Sequence, residues 1–317
     1  MRHPKPAGIG HHVNTITLVV VDVTAVVVAY NSERDISGVL DSLPAAMGAL
    51  SFRVVVVDNG STDGTVSLLE SRADCVLVRS SNVGYGAGVN TGVAHGGRSR
   101  SVLVLNPDAA LGPLSVESMF KALALEGVGI VAPHVSDESG SLFRSLRRTP
   151  TLGRASGLAF TGLAAFSEYV SDPAEYERAH AVDWALGAVL LISRICFDDL
   201  DGFDESYFLY SEETDLCLRA RDAGWLTWYT PEARVTHAGG GSGRNDWTHS
   251  MQIINRVRLY RRRHDDRLAW LYFGLTILSE ITWVLRGNSG ARASLRALIC
   301  PAARPPELHA GRGVLPT

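Results

Sequence analysis

The chain of 317 residues is long enough for one large domain, or for one domain with an appendage, around a sizeable core. Apolar residues make up 46% and charged residues 20%, as in ordinary globular proteins, and a formal net charge of −3 excludes a global pull toward nucleic acid. The cysteines, Cys75, Cys196, Cys217 and Cys300, form no CxxC pair, which disfavours a zinc knuckle or thioredoxin-type motif and points to reduced core thiols in a cytoplasmic protein.

In chain order, Met1 to Asn14 is rich in His, Pro and Gly and reads as a flexible extension. The apolar run Ile16–Tyr30 is β-branched and interrupted by Asp22 and Thr24, so it reads as strand rather than signal peptide. Within it Val23–Ala29 is a continuous apolar strand of the kind buried on both faces of a parallel sheet. Ser32–Leu50 has helical spacing, with Ile36, Val39, Leu40 and Leu43 on one side. Phe52–Val57 is a second strand and stops at Asp58. Thr65–Ser71 is helical, Cys75–Val78 is a third strand, and Gly86–Gly96 is a helix opened by glycines. Ser101–Leu105 is a fourth strand ending at Asn106-Pro107-Asp108. Ser115–Glu126 is helical and Gly129–Ala132 is another short strand.

Repeated β–α–β predicts a doubly wound α/β sheet. Residues just beyond strand ends, Tyr30-Asn31, Asp58-Asn59-Gly60-Ser61 and Asn106-Pro107-Asp108, should then line one ligand crevice. From Ser141 to Asp183 the pattern weakens, as in a mobile loop region. A second block follows with Trp184–Ile192, Gly202–Arg221, Trp225–Tyr229 and Val235-Thr236-His237. From Met251 the chain reads as helical. Arg256, Arg258, Arg261, Arg262, Arg263 and Arg267 cluster there, ahead of the aromatic-rich apolar stretch Leu268–Leu285, which carries Glu280.

Several residues have the chemistry for a nucleotide-sugar site, and each also has an ordinary structural use. Asp108, directly after a buried strand, suits a hard divalent cation, of which a diphosphate supplies the remaining ligands, or it caps a turn. Asp58 can accept from a base or ribose, and Asp63 can cap the next helix. The Gly84-x-Gly86-x-Gly88 run follows the third strand and lacks the GxGxxG spacing, so a close helix-to-sheet approach is favoured over a phosphate cradle. Glu212, Glu213 and Asp215 follow Tyr207-Phe208-Leu209-Tyr210. A carboxyl beside apolar rings has a raised proton affinity and suits a base, while acids at a helix start are also favoured by the dipole. His237, before Gly239-Gly240-Gly241-Ser242, is a metal ligand or a structural histidine.

As an ordered set these pieces resemble the family 2 glycosyltransferases of GT-A fold. The match runs through Val27–Asn31, Val57–Asp63, Asn82–Asn90, Leu105–Asp108, Trp184–Ala188, Gly202–Glu205 with Tyr207-Phe208, Ser211–Arg219 and Val235–His237, roughly residues 23–265. The resemblance implies a mixed sheet flanked by helices, with residues 1–22 as extension and lead-in strand. Residues 23–250 would be the catalytic domain, divided into a nucleotide-sugar half (23–133) and an acceptor half (134–250), and 251–317 a helical appendage.

The resemblance also implies an inverting transferase using Mg²⁺ or Mn²⁺. Tyr30, Asn31, Asp58, Asn59, Gly84, Asn106 and Asp108 would bind the donor, with Asp58 on the base. Asp108 and His237 would hold the metal. Trp184 and Gly187 would shape the acceptor pocket. Glu213 stands where the family usually has its catalytic Asp, one methylene shorter, with Glu212 as the fallback base.

Within the family, the Asn-Pro-Asp form, the Tyr-Phe-Leu-Tyr run and the His-Gly-rich segment look like bacterial dTDP-rhamnosyltransferases of the actinobacterial cell-wall linker type. The implied partners are dTDP-rhamnose and a glycan or lipid-linked acceptor. UDP-hexose or galactofuranose donors, or a non-catalytic nucleotide-sugar-binding module, are the alternatives. A dehydrogenase would need GxGxxG after the first strand, where Ala29-Tyr30-Asn31-Ser32 stands instead. The basic, apolar 256–285 stretch reads as a surface in the bilayer interface on the cytoplasmic side of the plasma membrane, or as helices packed on the catalytic domain or a second subunit.

Overall fold

The computed structural model of the protein describes residues 20–237 and 245–308. The expected flexible extension at residues 1–14 and the Gly239–Ser242 run lie outside the described residues.

The alternating half begins β1 (Val21–Ala29), α1 (Ile36–Met47), β2 (Phe52–Asp58), α2 (Thr65–Glu70), β3 (Val76–Arg79), α3 (Tyr85–His95) and β4 (Ser99–Leu105). It continues with β5 (Ala109–Leu111), α4 (Ser115–Ala122) and β6 (Val128–Ser136). Then come β7 (Leu146–Arg147), α5 (Leu152–Ala155), β8 (His180–Val182), β9 (Trp184–Ala185), β10 (Val189–Ser193), α6 (Arg194–Asp199), α7 (Glu212–Asp222) and β11 (Leu226–His237). Three helices close the described chain: α8 (Asp246–Arg263), α9 (Asp266–Leu285) and α10 (Ser289–Ile299).

Among the described residues the main sheet runs β3-β2-β1-β4-β10-β6-β11-β5, with β8 on β11. β1, β2, β3 and β4 are parallel neighbours, while β10 lies antiparallel between β4 and β6. The continuous apolar sequence of β1 reflects burial on both faces. Val23, Ala25, Val27 and Ala29 pack under α1 and α4, whereas Val26 and Val28 pack under α3, α6 and α7. The glycines of α3 serve that packing: a Cβ on Gly88 would stand 2.9 Å from Val28 Cγ1, and one on Gly92 would collide with the Val26 side chain. This is the close helix-to-sheet approach expected of them.

The structure resolves the segments of the second block and corrects the reading of 141–183. Trp184–Ile192 is two strands, because the chain turns at Leu186-Gly187-Ala188. Trp225–Tyr229 and Val235–His237 are one strand, β11, whose pairing with β6 shifts register between Thr230 and Arg234. The Ser141–Asp183 segment, read as a mobile loop, contains β7, α5 and β8 and joins the core. The Tyr176 hydroxyl accepts from Leu146 N–H (3.1 Å) and donates to the Val170 carbonyl (3.1 Å), and Asp183 accepts from Thr149 N–H (2.7 Å). Side-chain bonds of this kind leave no periodic trace in sequence.

The C-terminal helices pack on each other, on α5, on α7 and on the aromatic segment 207–210. α8 starts with a capping box between Asn245 and Thr248. Four of its arginines have partners within the molecule: Arg256 on Glu168, Arg258 on the Ser206 carbonyl and the Tyr207 ring, Arg262 on Asp204, and Arg263 on Asp222. These four side chains tie α8 to the segments at 168 and 204–207 and to the end of α7. α9 is, among the described residues, the helix long and apolar enough to cross a membrane. Its Tyr272 ring stacks on Tyr260 at 3.9 Å. Its Glu280 is buried against His249 (3.1 Å) and Ser294.

Candidate active site

The loops after β1 and β2 are laced together where the parallel strands end. Asn31, at φ +51, donates its N–H to Ser61 Oγ (2.9 Å) and accepts from Thr62 N–H (2.8 Å). Ser32 N–H donates to Thr65 Oγ1 (2.8 Å), and Asp63 accepts from the Thr65 N–H and hydroxyl at the start of α2. Tyr30 stands exposed beside them. Asp58, in register with Ala29, is buried. Its Oδ2 accepts from Gly60 and Ser61 N–H, both 3.2 Å. Its Oδ1 is buried with no hydrogen-bond partner among the described residues, and the same is true of Asn59 Oδ1. A buried acceptor left open in this way is costly unless something donates to it. Asn59 reaches back through Nδ2 to the Gly84 carbonyl (3.0 Å). Gly84 sits at φ +102 against Phe208, whose carbonyl a Cβ there would approach to 2.5 Å, so glycine is required.

Beyond β10 and β6 in the sheet, β11 pairs with β5 and so brings His237 to the segment that follows β4. The antiparallel register His237↔Ala109 places the imidazole next to Asp108. His237 Nε2 lies 3.1 Å from Asp108 Oδ1 and 3.3 Å from Asn106 Nδ2, and Phe143 packs edge-on to its ring. Among the described residues no cluster of three or more His, Cys, Asp or Glu gathers as a complete metal cage. One carboxylate and one imidazole side by side nevertheless fit a hard divalent cation that takes its other ligands from phosphate oxygens and water.

The acidic run after the aromatic stretch divides by environment. Asp215 pairs with Arg219 (2.6 Å) along α7 and is structural. Glu212 and Glu213 each keep a buried oxygen with no hydrogen-bond partner among the described residues. Burial pushes both carboxyls above the ordinary range. Glu212 is pushed further by the neighbouring Glu213, whereas backbone N–H groups and the Arg147 guanidinium pull Glu213 back. The turn that aims them is strained, with Tyr210 at φ +67 and Ser211 at φ +73. Asn255 of α8 holds it, donating through Nδ2 to the carbonyls of Leu209 (2.9 Å) and Tyr210 (3.1 Å).

Tyr85 ties these parts together. Its hydroxyl donates to the Gly187 carbonyl (3.3 Å), and its phenol is pushed up by burial and then by the charges of Glu212, Glu213 and Asp108. The three acids therefore lie within electrostatic reach of one ring, and Asp58 ends the strand next to β1 on the same edge of the sheet. Gly187 makes room for Glu213, since a Cβ there would stand 3.0 Å from Glu213 Cβ. Trp184 is buried and donates from Nε1 to the Arg148 carbonyl (3.0 Å).

Arg147 was not foreseen. It pairs with Trp184 across β7 and β9, and its guanidinium carbon lies 3.9 Å from the Tyr169 ring and 5.9 Å from Trp184. Nothing in the aperiodic stretch around it marks it in sequence. A separate cleft of about 680 Å³ beside Asn90, Gly202, Asp204, Glu205 and Arg219 contains none of these acids.

A model of glycosyl transferase family 2 matches residues 24–173. The N-acetylglucosaminyl-diphospho-decaprenol L-rhamnosyltransferase of Mycobacterium tuberculosis is 32% identical over 264 residues, covering 76% of this chain and 82% of the relative. The low-salt glycan biosynthesis hexosyltransferase Agl10 of Haloferax volcanii is 27% identical, covering 63% of this chain and 62% of its own. Among solved structures, the mannosyltransferase PcManGT of Pyrobaculum calidifontis in complex with GDP-Man and Mn²⁺ superposes with a TM-score of 0.55 at 18% identity, covering 91% of this chain and 82% of that one. Residues 1–349 of S. aureus TarS in complex with UDP-GlcNAc give 0.55 at 16% identity, covering 91% and 83%. These likenesses agree with the GT-A arrangement of sheet and helices described above.

Proposed function

The chain belongs to glycosyl transferase family 2 and is a glycosyltransferase, and from that premise we propose that it moves L-rhamnose from dTDP-rhamnose to a hydroxyl of a polyprenyl-diphosphate-linked sugar in cell-envelope polysaccharide synthesis. In this reading it works at the cytoplasmic face of the membrane. Residues 23–133 take the nucleotide sugar, 134–250 take the acceptor, and 251–317 form an appendage.

The observation that carries the reading is the pair of buried, incompletely bonded carboxyls, Glu212 and Glu213, sharing Tyr85 as a neighbour with Asp108. Asp58 Oδ1 accepts the ring N–H of a thymine or uracil base while its other oxygen is held by Gly60 and Ser61. Tyr30, Asn31, Asn59, Gly84 and Asn106 line the donor around it. Asp108 and His237 are the residues that would hold Mg²⁺ or Mn²⁺, which when bound offsets the charge developing on the departing diphosphate. The acceptor, seated against Trp184, Gly187 and Arg147, presents its hydroxyl oxygen to the anomeric carbon from the side opposite the diphosphate. The new C–O bond forms as the bond to the diphosphate breaks, and the acceptor proton passes to a Glu213 oxygen. Glu212 lies beside it as the second buried carboxyl. The anomeric configuration inverts.

The test is transfer from a panel of dTDP- and UDP-sugars to a polyprenyl-diphosphate N-acetylglucosamine, with Mg²⁺ or Mn²⁺ supplied and product configuration read by NMR. Inverted rhamnosyl product is expected. Nucleotide binding without turnover of any donor would instead leave a binding module.

A further inference from the structure

We infer that the outward face of α9, extended by the loop at residues 158–163, is an in-plane docking surface for a bilayer containing anionic phospholipid. In naming a membrane partner, the inference rests on the proposal of a lipid-linked acceptor.

The face follows from helical spacing. Trp270, Leu271, Gly274, Leu278, Ile281 and Leu285 recur at three- and four-residue steps, and all are exposed, Leu278 at 53% and Leu285 at 81%. The opposite side carries Ala269, Tyr272, Thr276 and Glu280, which are buried. Glu280, the one acid within the apolar stretch, is turned inward onto His249 and Ser294, so the outward side is apolar along its length. A 20-residue helix is about 30 Å long and long enough to span a bilayer. Here one side is fastened to α8 and α10, by Tyr272 on Tyr260 at one level and Glu280 on His249 and Ser294 at another. A helix bound along its side to a folded domain meets lipid on the other side only, as interfacial helices do.

The surroundings fit the same partner. The loop at 158–163 approaches α9 closely, for a Cβ on Gly157 would stand 2.9 Å from Ser279 Oγ. It presents exposed Leu158, Phe160 (70%) and Leu163, and Arg286 at the end of α9 lies 5.5 Å from the Phe160 ring and 5.2 Å from the Trp283 ring. Arg267, Arg286, Arg292 and Arg296 of this helical pair are exposed, against Asp265 and Asp266 at its start, in a chain whose overall charge is negative. Apolar area with Arg286 at its edge, on a helical pair whose exposed charge is mainly arginine, complements an anionic headgroup layer. The loop then continues to Glu168, which holds Arg256, and to Tyr169, which stacks on Arg147 beside Glu213. It thus links the apolar surface to the acceptor side of the crevice.

The experiment sediments the full chain with vesicles of phosphatidylcholine alone or with a minority of phosphatidylglycerol. The wild type should pellet with the mixed vesicles and less with phosphatidylcholine. L278E/I281E should weaken pelleting by about tenfold or more, and R286Q/R292Q/R296Q should remove the preference for anionic lipid. Both variants should keep the circular dichroism spectrum and the turnover of a short-chain, water-soluble acceptor. Absence of wild-type pelleting, or equal pelleting by L278E/I281E, overturns the inference. So does a wild-type dimer in sedimentation equilibrium that L278E/I281E dissociates without any vesicle binding, because a second copy would then cover the face. Pelleting as expected, with no transfer to any lipid-linked sugar, overturns the acceptor proposal and leaves the docking surface standing.

Discussion

Replacing Glu213 by Gln keeps the shape of the side chain, so its fit against Gly187 survives, and removes only the ability to take a proton. A positioned general base contributes about a hundredfold to ten-thousandfold, or about 3–5 kcal/mol of transition-state stabilisation. The kcat for transfer should fall by that factor while donor binding by calorimetry is unchanged. The rate of the wild type should climb with pH through a value above the ordinary glutamate range, because burial raises the Glu213 carboxyl, and the variant should lose that limb. Stability should move the other way. A carboxyl whose folded pKa is raised holds more protons in the folded than in the unfolded state. Its effect on stability therefore worsens as pH rises from the ordinary value of 4.5 through the folded one, and the deficit persists above it. Each unit of upward shift costs about 1.4 kcal/mol. The Gln variant should accordingly melt higher at neutral pH, by about 2 °C for each unit relieved, with the gain vanishing below about pH 4. Transfer at the wild-type rate by the Gln variant would end the assignment of Glu213 as base. A drop in melting temperature at neutral pH would show that the buried charge is not the strain described.

Asp58→Asn places an amide where the open Oδ1 stands and should weaken dTDP and UDP binding by about tenfold to a hundredfold in calorimetry, with little effect on inorganic diphosphate. Asp108→Ala should abolish the stimulation of donor binding by Mn²⁺, leaving any metal-independent nucleotide binding intact; undiminished stimulation would remove Asp108 from the cation site. Gly92→Ala forces a methyl into Val26 and should destabilise the protein by about 1–3 kcal/mol in urea unfolding, since α3 cannot move off β1 without opening the core.

The strand-end residues were legible because the strands that carry them are unambiguous. Val23–Ala29, Phe52–Val57 and Ser101–Leu105 are near-continuous apolar runs, and topology alone puts Asp58 and Asn106–Asp108 at one edge of a parallel sheet. The His237–Asp108 contact was legible only through resemblance, because it depends on β5, a three-residue strand pairing antiparallel across more than a hundred residues. Arg147 was hidden because its partners, Tyr169 and Trp184, come from short irregular pieces with no period to read. The pairing of the α8 arginines was hidden for a related reason. Their charge was visible in sequence, but their partners Glu168, Asp204 and Asp222 were not.

The clamp that Asn255 places on the Leu209 and Tyr210 carbonyls makes the last third of the chain more than an attachment. Two successive residues with left-handed backbone ask for outside support, and that support comes from a helix that follows the sheet in sequence. A fragment cut after the final strand would retain Asp58, Asp108, Glu212 and Glu213 and lose the brace that points two of them. The smallest unit able to turn over substrate therefore has to include α8.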